Sequence, residues 1–117
     1  MSSGYIELGL STEARHCHRA LASLQEELEA IDFYHQRADV TGDPELKAIL
    51  AHNRDDEMEH AAMLLEWLRR AMPAFELQLR KMLFRPGAIP ALAAADAPPT
   101  PDGRGLGLGN LTTEEAS

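Results

Sequence analysis

The chain has few cysteines, few aromatic residues and no long apolar run. Cys17 is the single cysteine among 117 residues, and Phe, Trp and Tyr together make up 5%. One cysteine excludes an intrachain disulfide and a thiolate metal cluster, and it fits a reducing cytoplasm. We find no signal peptide and no apolar stretch long enough to cross a bilayer. These absences predict a cytoplasmic protein with no membrane partner.

Basic residues are scarce as well, with 11 Lys and Arg against 19 Asp and Glu and a net charge of −8. The basic side chains are scattered and form no patch, which argues against nucleic acid as a partner, whereas the acidic surplus favours cations. The length allows one small domain. Two long helices of this size cannot bury an apolar stripe alone, so the sequence predicts an oligomer.

The pattern predicts an all-α fold built on an antiparallel two-helix hairpin. Two long helices are predicted at residues 11–40 and 44–72, with Ser11 as the N-cap of the first. Between them, Gly42 marks a helix exit, Asp43 an N-cap and Pro44 a first helical position. Pro73 ends the second helix, and a short third helix follows with apolar residues at helical spacing: Phe75, Leu79, Met82 and Leu83.

The chain divides by composition into four parts. Residues 1–10 form a flexible N-terminus, 11–85 a helical domain, 86–105 a linker rich in Pro, Gly and Ala, and 106–117 a tail. The tail places Leu106, Leu108 and Leu111 at nearly alternate positions, which is typical of an extended peptide that docks into a groove. An inert tail fits the composition equally well.

A Glu-x-x-His pair in the second helix is the most informative motif. At about 100° per residue, Glu57 and His60 lie near the centre of the stripe formed by Leu46, Ile49, Leu64, Trp67 and Leu68. A carboxylate and an imidazole placed toward an apolar core are costly unless they are paired or bind metal. A chance pairing remains an alternative on this motif alone.

The first helix contributes a third candidate ligand. Glu27 points toward its stripe of Cys17, Leu21, Leu24, Leu28 and Ile31, whereas Glu26 and Glu29 point away. Glu27 precedes the turn by about as many residues as Glu57 follows it, so the two carboxylates meet at one level of the hairpin. Di-iron carboxylate bundles use a Glu from two helices and Glu-x-x-His from two others. Two copies of this chain would complete such a site between subunits.

Three segments resemble one known family, the encapsulated ferritins, which are two-helix ferritin-like cargo proteins of encapsulin shells. They are EELEAIDFY at 26–34, AHNRDDEMEHA at 51–61 and LEWLRR at 65–70. The likeness runs from about Ser11 to Phe84, and the segment from Leu106 to Leu111 is similar to the family's short encapsulation peptide. Half of a ferritin-like four-helix bundle, completed by dimerisation, is the fold that this resemblance implies.

The resemblance also implies a function. By this resemblance the protein would be a ferroxidase that oxidises Fe(II) with oxygen at a di-iron centre of Glu27, Glu57 and His60, shared between subunits. Glu26 and Glu29 would form an outer metal-attraction site. Ten chains would form a ring of five dimers, and the encapsulin shell, bound through Leu106, Leu108 and Leu111, would hold the mineral.

Some positions depart from the family or stay open. Phe33 stands where the family more often has Trp, which loses an indole N–H but keeps the aromatic bulk. Tyr34 is expected either to hydrogen-bond a ligand carboxylate or to pack. Zn or Ca could occupy the same ligands, with redox-inert Zn as an inhibitor. Two other functions remain alternatives: a non-redox metal-binding protein, and a structural helical adaptor that docks through its tail.

The remaining histidines give weak signals. His16 and His18 flank Cys17, but side chains at i and i+2 do not share a helix face, so this cluster is predicted to be structural. His35 and His52 lie off the apolar stripes and are expected to be solvated or interface residues.

Overall fold

The structure, a computed structural model, describes residues 4–98. Four helices and no strand occur in that range: α1 (Thr12–Val40), α2 (Pro44–Ala71), α3 (Pro73–Met82) and α4 (Ile89–Leu92). The predicted all-α fold with two long helices is confirmed. The predicted tail at 106–117, with Leu106, Leu108 and Leu111, lies outside the described residues. The chain divides after Leu68 into two compact units, which we describe in turn.

Capping hydrogen bonds mark where α1 begins and ends. The Ser11 hydroxyl oxygen accepts a hydrogen bond of 3.1 Å from the N–H of Ala14, as expected for an N-cap. At the other end, the N–H of Thr41 donates to the carbonyl of Arg37 at 3.0 Å. The predicted glycine cap at Gly42 is wrong, because Thr41 caps the helix in an extended conformation and Gly42 has no positive φ.

The turn into α2 follows the predicted chemistry. Asp43 Oδ2 accepts from the N–H of Leu46 at 2.8 Å, and Pro44 is the first helical residue, where its missing N–H costs nothing. The side chain of Lys47 then reaches back to donate to the carbonyl of Asp39 at 3.4 Å. These bonds direct α2 back along α1.

Two further contacts establish the antiparallel register. Arg54 Nη1 donates to His35 Nδ1 at 3.1 Å, and His60 Nδ1 lies 3.5 Å from Glu27 Oε1. Positions on α2 that lie farther from the turn therefore meet positions on α1 that are also farther from it. The predicted hairpin is confirmed in the first unit.

The hairpin buries few large side chains. Its buried apolar residues are Ala20, Ala38, Ala61 and Leu68, and Leu68 is the largest of them. In one chain Ile49 remains 50% exposed and Trp67 42% exposed, which agrees with the expectation that two helices cannot bury the whole stripe without a second copy. Two helices can cover only the sides that face each other.

The second unit holds α3 and a short helix that the sequence did not predict. Glu76 Oε2 lies 3.3 Å from Arg69 Nη1 and 3.1 Å from Arg80 Nε, which ties the last turn of α2 to α3. One turn of helix, α4, occurs inside the predicted linker and buries Leu92. Lys81 Nζ donates to the carbonyl of Ala93 at 2.7 Å and fastens α4 to the end of α3.

No helix among residues 4–98 is long and apolar enough to cross a membrane.

Candidate metal centre

Three side chains from α1 and α2 form a cluster of metal-ligating groups. Glu27, Glu57 and His60 each offer one ligand atom, and these atoms all lie within 4.8 Å of one another. His60 Nδ1 lies 3.3 Å from Glu57 Oε1 and 3.5 Å from Glu27 Oε1. It is the only such cluster of three or more in the described part of the chain. The sequence prediction that these three residues converge agrees with this geometry.

Local helix geometry accounts for the arrangement. Residues at i and i+3 of a helix are surface neighbours, so Glu57 and His60 present their side chains together on α2. Glu27 arrives from α1 because the turn at residues 41–43 brings the two helices back at this level. The cluster therefore depends on one local spacing and on one tertiary register.

The three ionisable groups of the cluster shift one another's pKa. A hydrogen bond between the carboxyl groups raises the pKa of Glu27, and burial and the charge of Glu57 act in the same direction. The same hydrogen bond lowers the pKa of Glu57, with His60 adding to that effect. Burial lowers the pKa of His60, but its hydrogen bond with Glu57 and the charges of both carboxylates outweigh that, so its pKa is raised. The three groups are linked by hydrogen bonds through their protons, and a bound cation could replace those protons.

One side of the cluster is open in a single chain. The side chain of His60 is 47% exposed, and those of Glu27 and Glu57 are each 24% exposed. Ile49 and Trp67 lie on the same side of α2 as His60, within about 20° of rotation, since their separations are close to whole numbers of turns. An exposed imidazole is thus flanked on its helix by two exposed apolar side chains. That Glu57 and His60 face a core shared by two copies of the chain stays a prediction.

The other predicted site residues lie apart from the cluster. Glu26 and Glu29 are exposed on α1. Tyr34 is half-buried, and its ring lies 5.7 Å from the guanidinium of Arg37, which also lies 5.8 Å from the ring of Phe33. Among residues 4–98, Tyr34 makes no hydrogen bond to Glu27 or Glu57. Within one chain it therefore stacks against Arg37 and does not support a ligand.

Sequence reasoning missed the role of Arg54. Its guanidinium donates to His35 Nδ1 on α1 and also pairs with Asp55 Oδ1 at 3.0 Å. Arg54 precedes Glu57 by three residues, which places it one turn away on the same part of α2. The spacing of three residues between Arg54 and Glu57 was the sequence signal that could have predicted this role.

His52 is exposed, as expected, and pairs with Asp56 at 3.2 Å on the surface of α2. His16 and His18 take no part in the cluster of three ligands.

The donor set suits a hard or borderline divalent cation. Carboxylate oxygens and an imidazole nitrogen bind Fe(II), Mn(II) and Zn(II), and the cluster contains no sulfur ligand that would favour soft ions. Two carboxylates and one imidazole leave coordination positions free on any bound ion. A metal held here would remain open to another ligand or to a reactant.

Comparison with known proteins identifies the relatives of this chain. Residues 6–86 match the EncFtn-like family. The encapsulated ferritin-like protein of Rhodospirillum rubrum is 50% identical over 119 residues, which cover 92% of this chain and 85% of that protein. A ferritin-like protein of Thermotoga maritima is 57% identical over 75 residues, covering 64% of this chain and 66% of the relative.

Two further matches agree with these. An encapsulin nanocompartment cargo protein of Myxococcus xanthus is 41% identical over 51 residues, covering 44% of this chain and 39% of that protein. A protein of Nitrosomonas europaea with a crystal structure is 58% identical, with a TM-score of 0.71 over 74% of this chain and 98% of its own. The resemblance to encapsulated ferritins is confirmed, and the chain belongs to the EncFtn-like family.

Proposed function

We propose that this protein oxidises Fe(II) to Fe(III) with dioxygen at a site formed between two copies of the chain. One observation carries the proposal: Glu27, Glu57 and His60 converge to within 4.8 Å on a side of the hairpin that is left open. Membership of a family with ferritin-like relatives supports iron as the substrate. The chain is also acidic overall, and its negative charge attracts cations.

The donor count argues for two copies. One chain offers two carboxylates and one imidazole, which cannot hold two irons. A second copy related by a two-fold axis doubles the set to four carboxylates and two imidazoles, the set found in di-iron carboxylate proteins. The exposed Ile49 and Trp67 beside His60 supply apolar surface for this contact, which water would otherwise cover.

Each ligand type has a task in this chemistry. Carboxylates bind both Fe(II) and Fe(III) and can change their mode of binding, so the Glu57 carboxylates of the two copies would hold two irons close together. One imidazole per iron fixes orientation without filling the coordination sphere. Two Fe(II) ions supply two electrons, which with two protons reduce one dioxygen to hydrogen peroxide. The protein's contribution is to hold both irons close while leaving a position open.

The relatives also suggest where the iron goes. Proteins named as encapsulated ferritin-like and as encapsulin cargo are similar to this chain, so we assign this chain to the interior of an encapsulin shell. Leu106, Leu108 and Leu111 would bind the shell protein, and a ring of five dimers would present the sites to the lumen. An open hairpin cannot enclose mineral, so the shell would store the Fe(III).

Aerobic Fe(II) oxidation, followed by absorbance, tests the proposal with a matched pair of variants. Glu57→Gln removes a proposed ligand, whereas Glu59→Gln removes the same charge from an exposed residue two positions away. At equal oligomeric state, Glu57→Gln should oxidise iron no faster than buffer, and Glu59→Gln should match the native chain. A native rate equal to buffer would favour a non-redox metal-binding protein or a structural adaptor.

A further inference from the structure

The end of α3 and α4 carries an exposed surface that combines apolar and basic side chains. We name Lys81, Leu83, Phe84, Arg85 and Ile89 the junction surface. Phe84 is 100% exposed, Ile89 69% and Leu83 44%. Large apolar side chains gathered within nine residues and left in water are typical of a docking site.

The backbone at Phe84 supports this interpretation. Phe84 has a φ of 59°, a left-handed conformation that a bulky residue rarely adopts. Such a conformation costs free energy and persists where the surrounding structure holds it, often at a binding site. Arg85 supplies that restraint, because its Nη1 donates to the carbonyls of Lys81 at 3.1 Å and Asp96 at 3.3 Å. The ring of Phe84 is therefore presented to solvent by a fastened loop.

The junction surface is also positively charged. Residues 69–98 contain five basic and two acidic side chains, in a chain whose net charge is −8. Lys81 and Arg85 bond to backbone carbonyls, and neither pairs with a carboxylate in the described part of the chain. Both positive charges remain available to an acidic partner at short range.

The chain itself provides a segment with the matching chemistry. Residues 99–117 contain Leu106, Leu108 and Leu111, followed by Glu114 and Glu115. Three leucines match the apolar side chains of the junction surface, and the two glutamates match its two cations. An acidic and leucine-bearing peptide is therefore the partner that this surface fits.

The tail is also held close to the junction surface, because a short stretch of the same chain connects the two. Asp96, two residues before Pro98, accepts the hydrogen bond from Arg85, so the chain leaves the described residues beside the junction surface. An extended chain covers at most about 3.6 Å per residue, so Leu106 lies within about 29 Å of Pro98. A short tether gives an effective concentration in the millimolar range. Even a weak peptide contact would be substantially occupied.

We propose that the segment 106–115 docks onto the junction surface of its own chain, with Leu106, Leu108 and Leu111 against Phe84 and Ile89. In a docked tail these leucines would be covered. A shell protein that binds the same leucines would then have to displace the tail from the junction surface. This docking would occur in the purified chain alone and does not depend on iron oxidation.

Amide hydrogen exchange of the full chain, measured by mass spectrometry, tests the contact. Residues 106–111 should exchange several-fold more slowly than the same residues in a free synthetic peptide of residues 99–117. The double substitution Phe84→Ser with Ile89→Ser should restore the rate of the free peptide. Both side chains are exposed, so the helices should fold as before, which circular dichroism checks. Val40→Ser, an apolar change at another exposed position, should leave the slow exchange intact.

A reciprocal variant addresses the other occupants. Leu106→Ser, Leu108→Ser and Leu111→Ser together should speed exchange at residues 83–92, and the native protection should not change on dilution. Free-peptide exchange rates in the native tail would overturn the proposal. So would protection of residues 83–92 that survives the leucine changes, which would assign the surface to a second copy. Protection lost on dilution would place the tail on another chain and also contradict docking within one chain.

Discussion

His60 of α2 and Glu27 of α1 lie 3.5 Å apart across the hairpin, between Nδ1 and Oε1. No local helix geometry can make this contact, because the two residues belong to different helices. It depends on the tight turn at residues 41–43 and on the register that Arg54 and His35 share. The candidate metal centre is therefore a product of the tertiary fold as well as of the Glu-x-x-His spacing.

Metal affinity should rise with pH. The pKa values of Glu27 and His60 are raised, so both groups keep protons to a higher pH than usual, and a metal has to displace those protons. Affinity should be weak below these pKa values and should increase as pH rises through them. Anaerobic Fe(II) titration calorimetry in buffers of different ionisation enthalpy measures the protons released.

Glu27→Gln is the control for the pH dependence, since it removes one titrating ligand and should lower the number of protons released. An affinity that is independent of pH, with no proton release in the native protein, would contradict the assignment of these ligands.

Zn(II) should stabilise the protein and block iron oxidation. It binds carboxylate and imidazole ligands but has no redox activity. A ligand at about 100 times its Kd stabilises the folded state by about 2.7 kcal/mol, which thermal unfolding at a fixed chain concentration detects. The His60→Ala variant should lose most of this shift. An equal shift in that variant would mean that Zn binds elsewhere.

The cap of α2 should contribute measurably to stability. Asp43→Ala removes the acceptor for the N–H of Leu46, and loss of such a cap typically costs about 1 kcal/mol. Asp43→Asn keeps an oxygen at the same place and should retain most of the native stability. Urea unfolding of the two variants at one chain concentration checks this. Equal losses in both would indicate that charge, not the hydrogen bond, is responsible.

Assembly should change the surroundings of Trp67. This side chain is 42% exposed in the single chain and lies on the same side of α2 as His60. Because it is the single tryptophan, its fluorescence reports on that face alone. Emission should shift to shorter wavelength as chain concentration rises, in step with mass by native mass spectrometry.

Ile49→Glu should weaken assembly, because it places a charge on the proposed contact face. Val40→Glu adds the same charge at a more exposed position at the end of α1 and serves as the control. Unchanged Trp67 emission during a measured change of mass would place the contact on a different face.

Much of the architecture followed from local signals. Ser11, Asp43 and Pro44 carry clear capping chemistry, so the starts of both long helices could be predicted from short segments. The end of α1 at residue 40 was predicted as well, but its cap was not, because Thr41 bonds back to Arg37 in an extended conformation and Gly42 has no positive φ. Helix α4 was missed because prolines and alanines dominate its surroundings, and its stability depends on contacts with α3 such as Lys81 with Ala93.

In the candidate site, too, local patterns predicted some features and the tertiary structure determined the others. Rotation along each helix selected Glu27, Glu57 and His60, and the hairpin brings them together. In one chain the side chain of His60 is still 47% exposed, because periodicity shows which side of a helix is apolar but not how many copies cover it. Whether the three residues bind iron stays a prediction.

The central claim is that oxidation occurs between subunits, and the rate per chain across a dilution series tests it most directly. Aerobic Fe(II) oxidation and native mass spectrometry would be recorded on the same samples. The account predicts that the rate per chain falls with the fraction of assembled protein and that separated monomer oxidises iron no faster than buffer. A monomer that oxidises iron at the same rate per chain as the oligomer would contradict a site shared between two copies.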